Sequence, residues 1–382
     1  MSEHSDVLPV LPPVGTLPGA VRNSKWCYRF GYLAANVGLL VLMWSFRGSW
    51  LTDVHGNTQF GGAVPLLLVV LLAFVTYALV QGSNPGYVYA DAQGGNATST
   101  ARWHTEDEAA GLMSLDGQLD VDDCDLELGS AGFDADAAEE AEGSPTADAS
   151  STRLERELAA AELMSGADSL MPGGAFRGAD GTVRCIWCAV QQPVRAHHCR
   201  KCKMCVHGFD HHCNMLGTCI GEGNKLRFWL FLTAQTLALC VAVAYAHSCF
   251  YSAQSWGWGT WFGVNATALL QAILYYFLLG MVGSLWAMHS WLALVNGTTY
   301  EVLRGAKGTY YLAGSQLCDW PFSDGLAFNL RHFCCSSDAL LAALMGRQWA
   351  PARWPDPRHH PVQRDSDDVM NNCWQNRYWS CC

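Results

Sequence analysis

Apolar residues fall into four long runs separated by polar stretches of very unequal length. Between Arg29 and Arg47, the 17 residues Phe30–Phe46 carry no formal charge, at the short limit for a helix that crosses a bilayer. Gly61–Gln81 is a second run, with the block Leu66–Phe74 at its centre. The strongest signal is Phe228–Tyr300, 73 consecutive residues without Asp, Glu, Lys or Arg. A hydrocarbon layer of ~30 Å needs about 20 helical residues, so this stretch is too long for one span. Ser252–Asn265 mixes Gln, Ser, Gly and Asn with four aromatics and reads as a wet loop dividing it. The pattern therefore predicts helices over Phe228–Phe250 and Thr267–Val295.

Four spans put both termini and the Gln81–Arg227 loop on one side. That side holds Arg22, Lys25, Arg184, Arg195, Arg200, Lys201, Lys203, Lys225, Arg227, Arg304 and Lys307, whereas the two opposite loops hold only Arg47. Short loops rich in Lys and Arg stay in the cytosol, so this side is expected to be cytosolic. The first 20 residues are polar and Pro-rich and predict no cleavable signal peptide.

Composition changes the picture in one respect. The chain is 50% hydrophobic and only 15% charged, against roughly 25% charged for soluble domains. Its net charge of −11 misleads, because Glu106–Asp148 holds 15 acidic residues and no basic one. Outside that stretch the chain is net basic and apolar, which excludes an acidic protein repelled by membranes. Tyr87–Asp180, dominated by Ala, Gly, Ser, Asp and Glu, cannot bury enough apolar surface to offset its ordering entropy and is expected to be mostly disordered. A short helix is expected at Ser151–Ser165. A calcium loop at Asp116–Glu127 fails because Val121 stands where the sharp turn needs Gly.

Seven of the 17 Cys crowd into Cys185–Cys219. The order is Cys185, Cys188, His198, Cys199, Cys202, Cys205, His212, Cys213 and Cys219, with His197, His207 and His211 between them. CxxC pairs with His at ligand spacing point to metal rather than disulfides. Zn2+ takes four N or S ligands in a tetrahedron, and mixed S/N donors favour it. Two interleaved sites of three Cys and one His consume six Cys and leave one over. The spare thiol is best assigned as Cys213 in Asp210-His211-His212-Cys213. A thiolate is the nucleophile, and an imidazole oriented by a carboxylate can accept its proton. Spacing alone also allows Cys213 as a ligand with Cys219 spare, or a purely structural cluster.

The stretch Arg184–Phe228 resembles the Cys-rich domain of the DHHC-type protein S-acyltransferases, with Pro193, Arg195, Ala196-His197-His198-Cys199 and the signature tetrapeptide. Ser83-Asn84-Pro85-Gly86 resembles the family's Asp-Pro-Gly element, with Asn for Asp. Gly221, Asn224 and Phe228 match the run into the third span. Thr298-Thr299-Tyr300-Glu301 matches the TTxE element, and Gly325 and Asn329 match the C-terminal element. The resemblance covers roughly residues 28–86 and 184–335. The family usually follows its signature Cys with Pro-Trp, where this chain has Asn214-Met215. Loss of the large aromatic wall is expected to alter acyl-chain packing or rate.

Carried over residue by residue, the resemblance implies one structural Zn2+ on Cys185, Cys188, His198 and Cys205 and a second on Cys199, Cys202, His212 and Cys219. It implies Cys213 as the acyl-accepting nucleophile, His211 as its base and Asp210 as the orienting carboxylate. Arg195 and Arg184 are candidates for the phosphates of CoA. Ala238, mid-span in the third helix, suggests room for a long chain. Thr299 and Asn329 are read as supports of the site. The expected fold is an all-α polytopic membrane protein with four transmembrane helices and a cytosolic Cys-rich domain binding two zinc ions.

The expected organisation is an N-terminal tail (1–27), two spans (28–81), the acidic insert (82–180), the Cys-rich domain (181–227), two spans (228–295) and a C-terminal region (296–382). In that region Asp338–Met345 is a helix candidate with Asp338 as its cap. The expected activity is transfer of a long-chain acyl group, palmitoyl by the resemblance, from acyl-CoA to protein cysteines through a thioester on Cys213. A non-enzymatic membrane zinc scaffold or an inactive family member is the alternative, and a metal transporter fails because the uncharged stretch offers only His247 and His289 as ligands. The expected partners are acyl-CoA, proteins bearing substrate cysteines and membrane lipid, with no nucleic acid. The expected site is an endomembrane, Golgi or endoplasmic reticulum, or else the plasma membrane. Cys334-Cys335 and Cys381-Cys382 are juxtamembrane thiols open to lipidation, and Asn265-Ala266-Thr267 is a glycosylation sequon.

Overall fold

The computed structural model describes residues 19–45, 49, 51, 55, 57–81, 83–88, 170–171, 175–177, 182–185, 187–188, 190–251, 257–313, 315, 320–336, 338–344 and 349–359. The acidic stretch 106–148, the expected helix at 151–165 and the terminal Cys381-Cys382 lie outside them. The chain divides into two units, one formed by residues 1–89 with 192–382 and one by residues 90–191. In the second unit, β1 (Leu170–Met171), β2 (Ala175–Arg177) and β3 (Val183–Cys185) make a small antiparallel sheet in that order, with Phe176 opposite Arg184.

Four helices of the first unit are long and apolar enough to cross a membrane. They are α1 (Gly19–Trp44), α2 (Phe60–Gln81), α3 (Lys225–Ser248) and α4 (Trp258–Val295). Their outer surfaces keep large apolar side chains bare, among them Leu68, Leu71, Leu270 and Phe277, each more than half exposed. Water would penalise such a surface by about 25 cal/mol per Å2, and hydrocarbon would not. Between the helices, Tyr245 and Tyr275 are fully buried, and α3 packs against both α2 and α4. The Tyr245 hydroxyl donates to Met43 O, and Gln271 Nε2 reaches Leu42 O at 3.3 Å, which ties α1 to the bundle.

The last span differs from its expectation. Trp258–Asn265, the second half of the Ser252–Asn265 stretch read as wet loop, is helical and continuous with the rest of α4, 38 residues in all. Tertiary bonds override the weak local propensity: Asn265 Oδ1 accepts from Tyr251 N (2.8 Å), and its Nδ2 donates to Tyr251 O (2.8 Å) and Trp261 O (3.0 Å). The same bonds commit the sequon's amide, leaving Asn265 buried and closed to a glycan.

The Cys-rich part corrects the all-α expectation. It is built of three-residue strands, β4 (His197–Cys199) paired with β5 (Met204–Val206) and β6 (His211–Cys213) paired with β7 (Thr218–Ile220). Strands this short hold too few residues for a period-two pattern to show in the sequence. The molecule is helix-rich, with these hairpins carrying the chemistry.

Asn224, fully buried, fastens the hairpins to the end of α2. Its Nδ2 donates to Ser83 Oγ and Cys219 O, both at 3.0 Å, while its Oδ1 accepts from Gly221 N at 2.9 Å. The Ser83–Gly86 element closes as an Asx turn, in which Asn84 Oδ1 accepts from Gly86 N (2.9 Å) and Tyr87 N (3.1 Å). An Asp would do the same, which explains why Asn is tolerated there. At Gly223, an added Cβ would lie 2.7 Å from Asn84 O, so only Gly permits this approach.

After α4 the chain forms α5 (Thr299–Gly308), α6 (Leu326–Arg331) and α7 (Ala339–Leu344). Asn329 is fully buried and donates to Leu294 O (2.7 Å) and Ser323 Oγ (2.8 Å), pinning α6 to the end of α4. Asp338 caps α7 as expected, accepting from Leu341 N at 2.9 Å, and also takes Arg227 in a bidentate pair (2.8 and 3.0 Å). Removing one member of a largely buried pair strands the other, at a cost of ~3 kcal/mol. Arg227→Ala is therefore expected to lower the thermal unfolding midpoint in detergent micelles. A variant that melts with the wild type would mean the pair contributes nothing.

Candidate functional site

The turn Asn214–Gly217 sets the β6–β7 hairpin. Leu216 N bonds Cys213 O and Gly217 N bonds Asn214 O, and Gly217 adopts φ +61°, a conformation open to Gly without strain. A Cβ there would also sit 2.4 Å from the Tyr28 ring. The hairpin places His211 opposite Ile220, His212 opposite Cys219 and Cys213 opposite Thr218. Met215, in place of the family's Trp, sits at the turn tip and is largely exposed.

His212 faces three thiols, and together the four side chains could hold a metal ion. Its Nδ1 lies 3.6 Å from Cys199 Sγ, 3.4 Å from Cys202 Sγ and 3.6 Å from Cys219 Sγ. All four ligand atoms lie within 4.8 Å of one another. Zn–S bonds of about 2.3 Å and Zn–N bonds of about 2.0 Å require tetrahedral separations of about 3.5–3.8 Å, so the donor set fits Zn2+. Burial and the neighbouring thiols push Cys219 well above the ordinary thiol range. Cys202 N donates to Cys199 Sγ at 3.4 Å, the tight knuckle that CxxC spacing predicts.

Cys188 N makes the same contact to Cys185 Sγ in the second unit, also at 3.4 Å. In the first unit His198 Nδ1 lies 3.9 Å from Cys205 Sγ, which also accepts from Gln192 Nε2 at 3.4 Å.

Beside the metal-site ligands, the neighbouring side chains turn the other way. His211 Nδ1 sits 2.6 Å from Asp210 Oδ2. Asp210 is buried, and Thr299 donates to it twice, from its N to Oδ1 (2.7 Å) and from its Oγ1 to Oδ2 (2.9 Å). Burial alone would raise Asp210, but the His211 bond, the neighbouring imidazoles and the Thr299 amide hold it below the usual carboxylate range. Burial alone would lower His211, but hydrogen bonds to Asp210 and Cys213 push it up to about 10. With Nδ1 committed to Asp210, Nε2 is left for Cys213. The ring packs edge-on against Phe228 at 5.4 Å.

Asp210, His211 and His289 also lie close enough to hold a metal. Asp210 and His211 are turned on one another and Asp210 on Thr299, so these two read as an acid–base pair instead. His289 stacks edge-on against Phe228 at 4.9 Å and lies 5.7 Å from the His211 ring.

Cys213, half-buried, rests on an apolar cluster of Tyr77, Val80, Leu216, Phe228 and Leu232, with Tyr32, Phe231 and Trp286 around it. Tyr32 and Tyr77 stack at 3.9 Å, and Tyr32 donates to Gln235 Oε1 at 2.8 Å, one helical turn before Ala238. The thiol therefore stands where the Cys-rich hairpins meet the apolar helices.

Arg195 is not where phosphate binding would need it. Its guanidinium is buried and donates from Nε and Nη2 to Glu301 (both 2.8 Å) and from Nη2 to Asn296 O (2.9 Å). Glu301 in turn closes a capping box with Thr298 at the start of α5, so Arg195 is a structural tie. Arg184, half-buried in β3, donates from Nε to Thr182 Oγ1 at 3.3 Å and stays a candidate. Composition and spacing could not pair Arg195 with Glu301, 106 residues apart.

A family model described as DHHC palmitoyltransferase matches residues 179–306. The chain is 32% identical over 170 residues to Protein S-acyltransferase 10 of Arabidopsis thaliana, covering 44% of this chain and 47% of that protein. It is 32% identical over 154 residues to Palmitoyltransferase ZDHHC9 of Homo sapiens, 40% of each chain. It is 36% identical over 126 residues to Protein S-acyltransferase 8 of Arabidopsis thaliana, covering 31% and 30%. The chain thus spans less than half the length of each of these relatives.

Proposed function

We infer, for a chain whose residues 179–306 match the DHHC palmitoyltransferase family model, that it is a membrane-embedded protein S-acyltransferase acting through Cys213. The observation that carries this reading is the chain of contacts Thr299–Asp210–His211–Cys213 beside a separate Cys3His donor set. Asp210 fixes the ring so that Nε2 can take the thiol proton of Cys213. The thiolate attacks the carbonyl of an acyl-CoA thioester, the bond to the CoA sulfur breaks, and the CoA thiolate leaves with the proton held on Nε2. A substrate cysteine thiolate then attacks the Cys213 thioester, and the Cys213 thiolate is released. Thioester is exchanged for thioester, so orientation and thiol activation suffice.

The acyl tail, palmitoyl by the family, would stay among the apolar side chains under Cys213. Moving it into water would cost ~0.8 kcal/mol per CH2. Zn2+ at Cys199, Cys202, His212 and Cys219 would be structural, because four protein ligands leave no open position. Cys185, Cys188, His198 and Cys205 are proposed as the second such set. The hairpins would face the cytosol by the distribution of Lys and Arg. Arg184 is the candidate for a CoA phosphate.

The test is labelling of purified protein with alkyne-tagged palmitoyl-CoA. Hydroxylamine-labile label on the wild type, absent from Cys213→Ser, is the expected result. Equal labelling of both would move the acyl group elsewhere, with the exposed Cys334 and Cys335 next in line.

A further inference from the structure

Residues 349–359 lie on the Cys-rich part of the first unit and touch it at three points. Ala352 N donates to the buried Glu222 Oε1 at 2.8 Å. The Trp354 ring centroid lies 5.0 Å from the Arg195 guanidinium, 5.5 Å from Phe322 and 4.9 Å from His332. Trp349 closes over Gly86, where an added Cβ would stand 3.0 Å from its ring. Glu222 Oε2 and His332 Nε2 have no hydrogen-bond partner among the described residues, and their side chains border a small cavity beside Arg195 and Trp354. Glu222 Oε1 and His332 Nε2 face each other at 3.8 Å, and the Trp354 side chain bears on Glu222. Ring packing from this segment is what keeps the cluster shut.

The cluster leads directly to the reactive thiol. Arg195 is held between Glu301 and the rings of Phe322 and Trp354. Glu301 Oε2 also accepts from Thr298 N at 3.0 Å, which fixes the first turn of α5. The next residue, Thr299, makes the two bonds to Asp210, and Asp210 orients His211. We propose that Trp354 is a positioning residue for acyl transfer: the segment 349–359 is a strap that holds Arg195, and through Glu301 and Thr299 the Asp210–His211 pair, in working geometry. Without the ring, water reaches one side of the guanidinium, and the capping box that sets Thr299 loosens. Displacing a catalytic group by about 1 Å costs up to about a hundredfold in rate.

The inference rests on the acyl-enzyme reading of Cys213. It is tested on the full chain in detergent micelles, with initial labelling rates measured against palmitoyl-CoA concentration and zinc measured per chain. Trp354→Ala is expected to lower the maximal rate about tenfold, with KM within about twofold and zinc unchanged. Trp354→Phe, which keeps a ring against Arg195, is expected to restore at least about half of the rate. Ala352→Pro removes the N–H donated to Glu222 and fixes φ at this position, loosening the strap while keeping the Trp354 ring, and is expected to fall between the two. A wild-type rate in Trp354→Ala, or a loss confined to KM, would overturn the proposal. Should Trp354→Ala lose its zinc, Ala352→Pro decides: a lowered maximal rate supports the strap, an unchanged one overturns it. A wild type with no hydroxylamine-labile label at Cys213 would instead defeat the acyl-enzyme reading. The strap is then read from the rate at which iodoacetamide alkylates Cys213, expected to differ about threefold or more between wild type and Trp354→Ala. Equal rates would overturn the strap as well.

Discussion

Asp210→Asn is expected to slow acylation of Cys213 by about a thousandfold or more while leaving zinc content and thermal stability near wild type, by analogy with triads in which the orienting carboxylate is neutralised. The carboxylate does two things that an amide cannot do together. Its Oδ2 accepts a hydrogen bond from His211 Nδ1, which keeps that proton on Nδ1 and turns Nε2 toward Cys213, and its charge favours the imidazolium formed when the thiol is deprotonated. Both oxygens also accept from Thr299. An Asn that keeps one oxygen toward Thr299 presents NH2 to the ring and forces the proton onto Nε2, the wrong tautomer for a base. Single-turnover labelling with palmitoyl-CoA reads the effect directly. A loss of less than about tenfold would mean that His211 works without the carboxylate, and the triad reading would be abandoned.

Cys202→Ser is expected to remove one zinc per chain and, with it, all label at Cys213. Cys202 Sγ lies 3.3 Å from Cys219 Sγ and 3.4 Å from His212 Nδ1, at the centre of the donor set. A serine hydroxyl stays protonated at neutral pH and is a poor zinc ligand. Structural zinc sites hold their metal with apparent free energies of about 10–16 kcal/mol, which is folding free energy for the hairpins around them. His212 and Cys219 sit directly opposite each other on β6 and β7, so release of the metal frees the strand that carries Cys213. Metal analysis alongside labelling separates this from a catalytic defect. Full zinc occupancy with active Cys213 would show that the four residues are not a metal site.

Features that depend on neighbours in sequence were legible without coordinates. CxxC spacing predicts the Cys199–Cys202 knuckle because both donors belong to one turn, and Asp338 predicts its cap because the accepted amide is three residues on. The four apolar runs predict four helices because charge is costly anywhere within them. Features made by distant partners were not legible. Arg195 read as a phosphate ligand because its count of positive neighbours is visible and its bond to Glu301 is not. Trp258–Asn265 read as loop because Asn265's bonds back to Tyr251 come from the folded chain, not from propensity. Trp354, with no motif around it, carried no signal at all. The strands of the Cys-rich hairpins were invisible for a simpler reason: three residues do not make a pattern.

The bond between Asp210 and Thr299 joins residues 89 positions apart. A chain emerging from the ribosome adds about 5–20 residues per second, so roughly 5–20 s separate synthesis of the thiol from synthesis of the group that orients its base. During that interval Asp210 lacks both bonds from Thr299, and the Asp210–His211 pair is without its outer support. Chain order thus delays alignment of this pair until the fourth apolar helix is complete and the first turn of α5 has docked against Asp210.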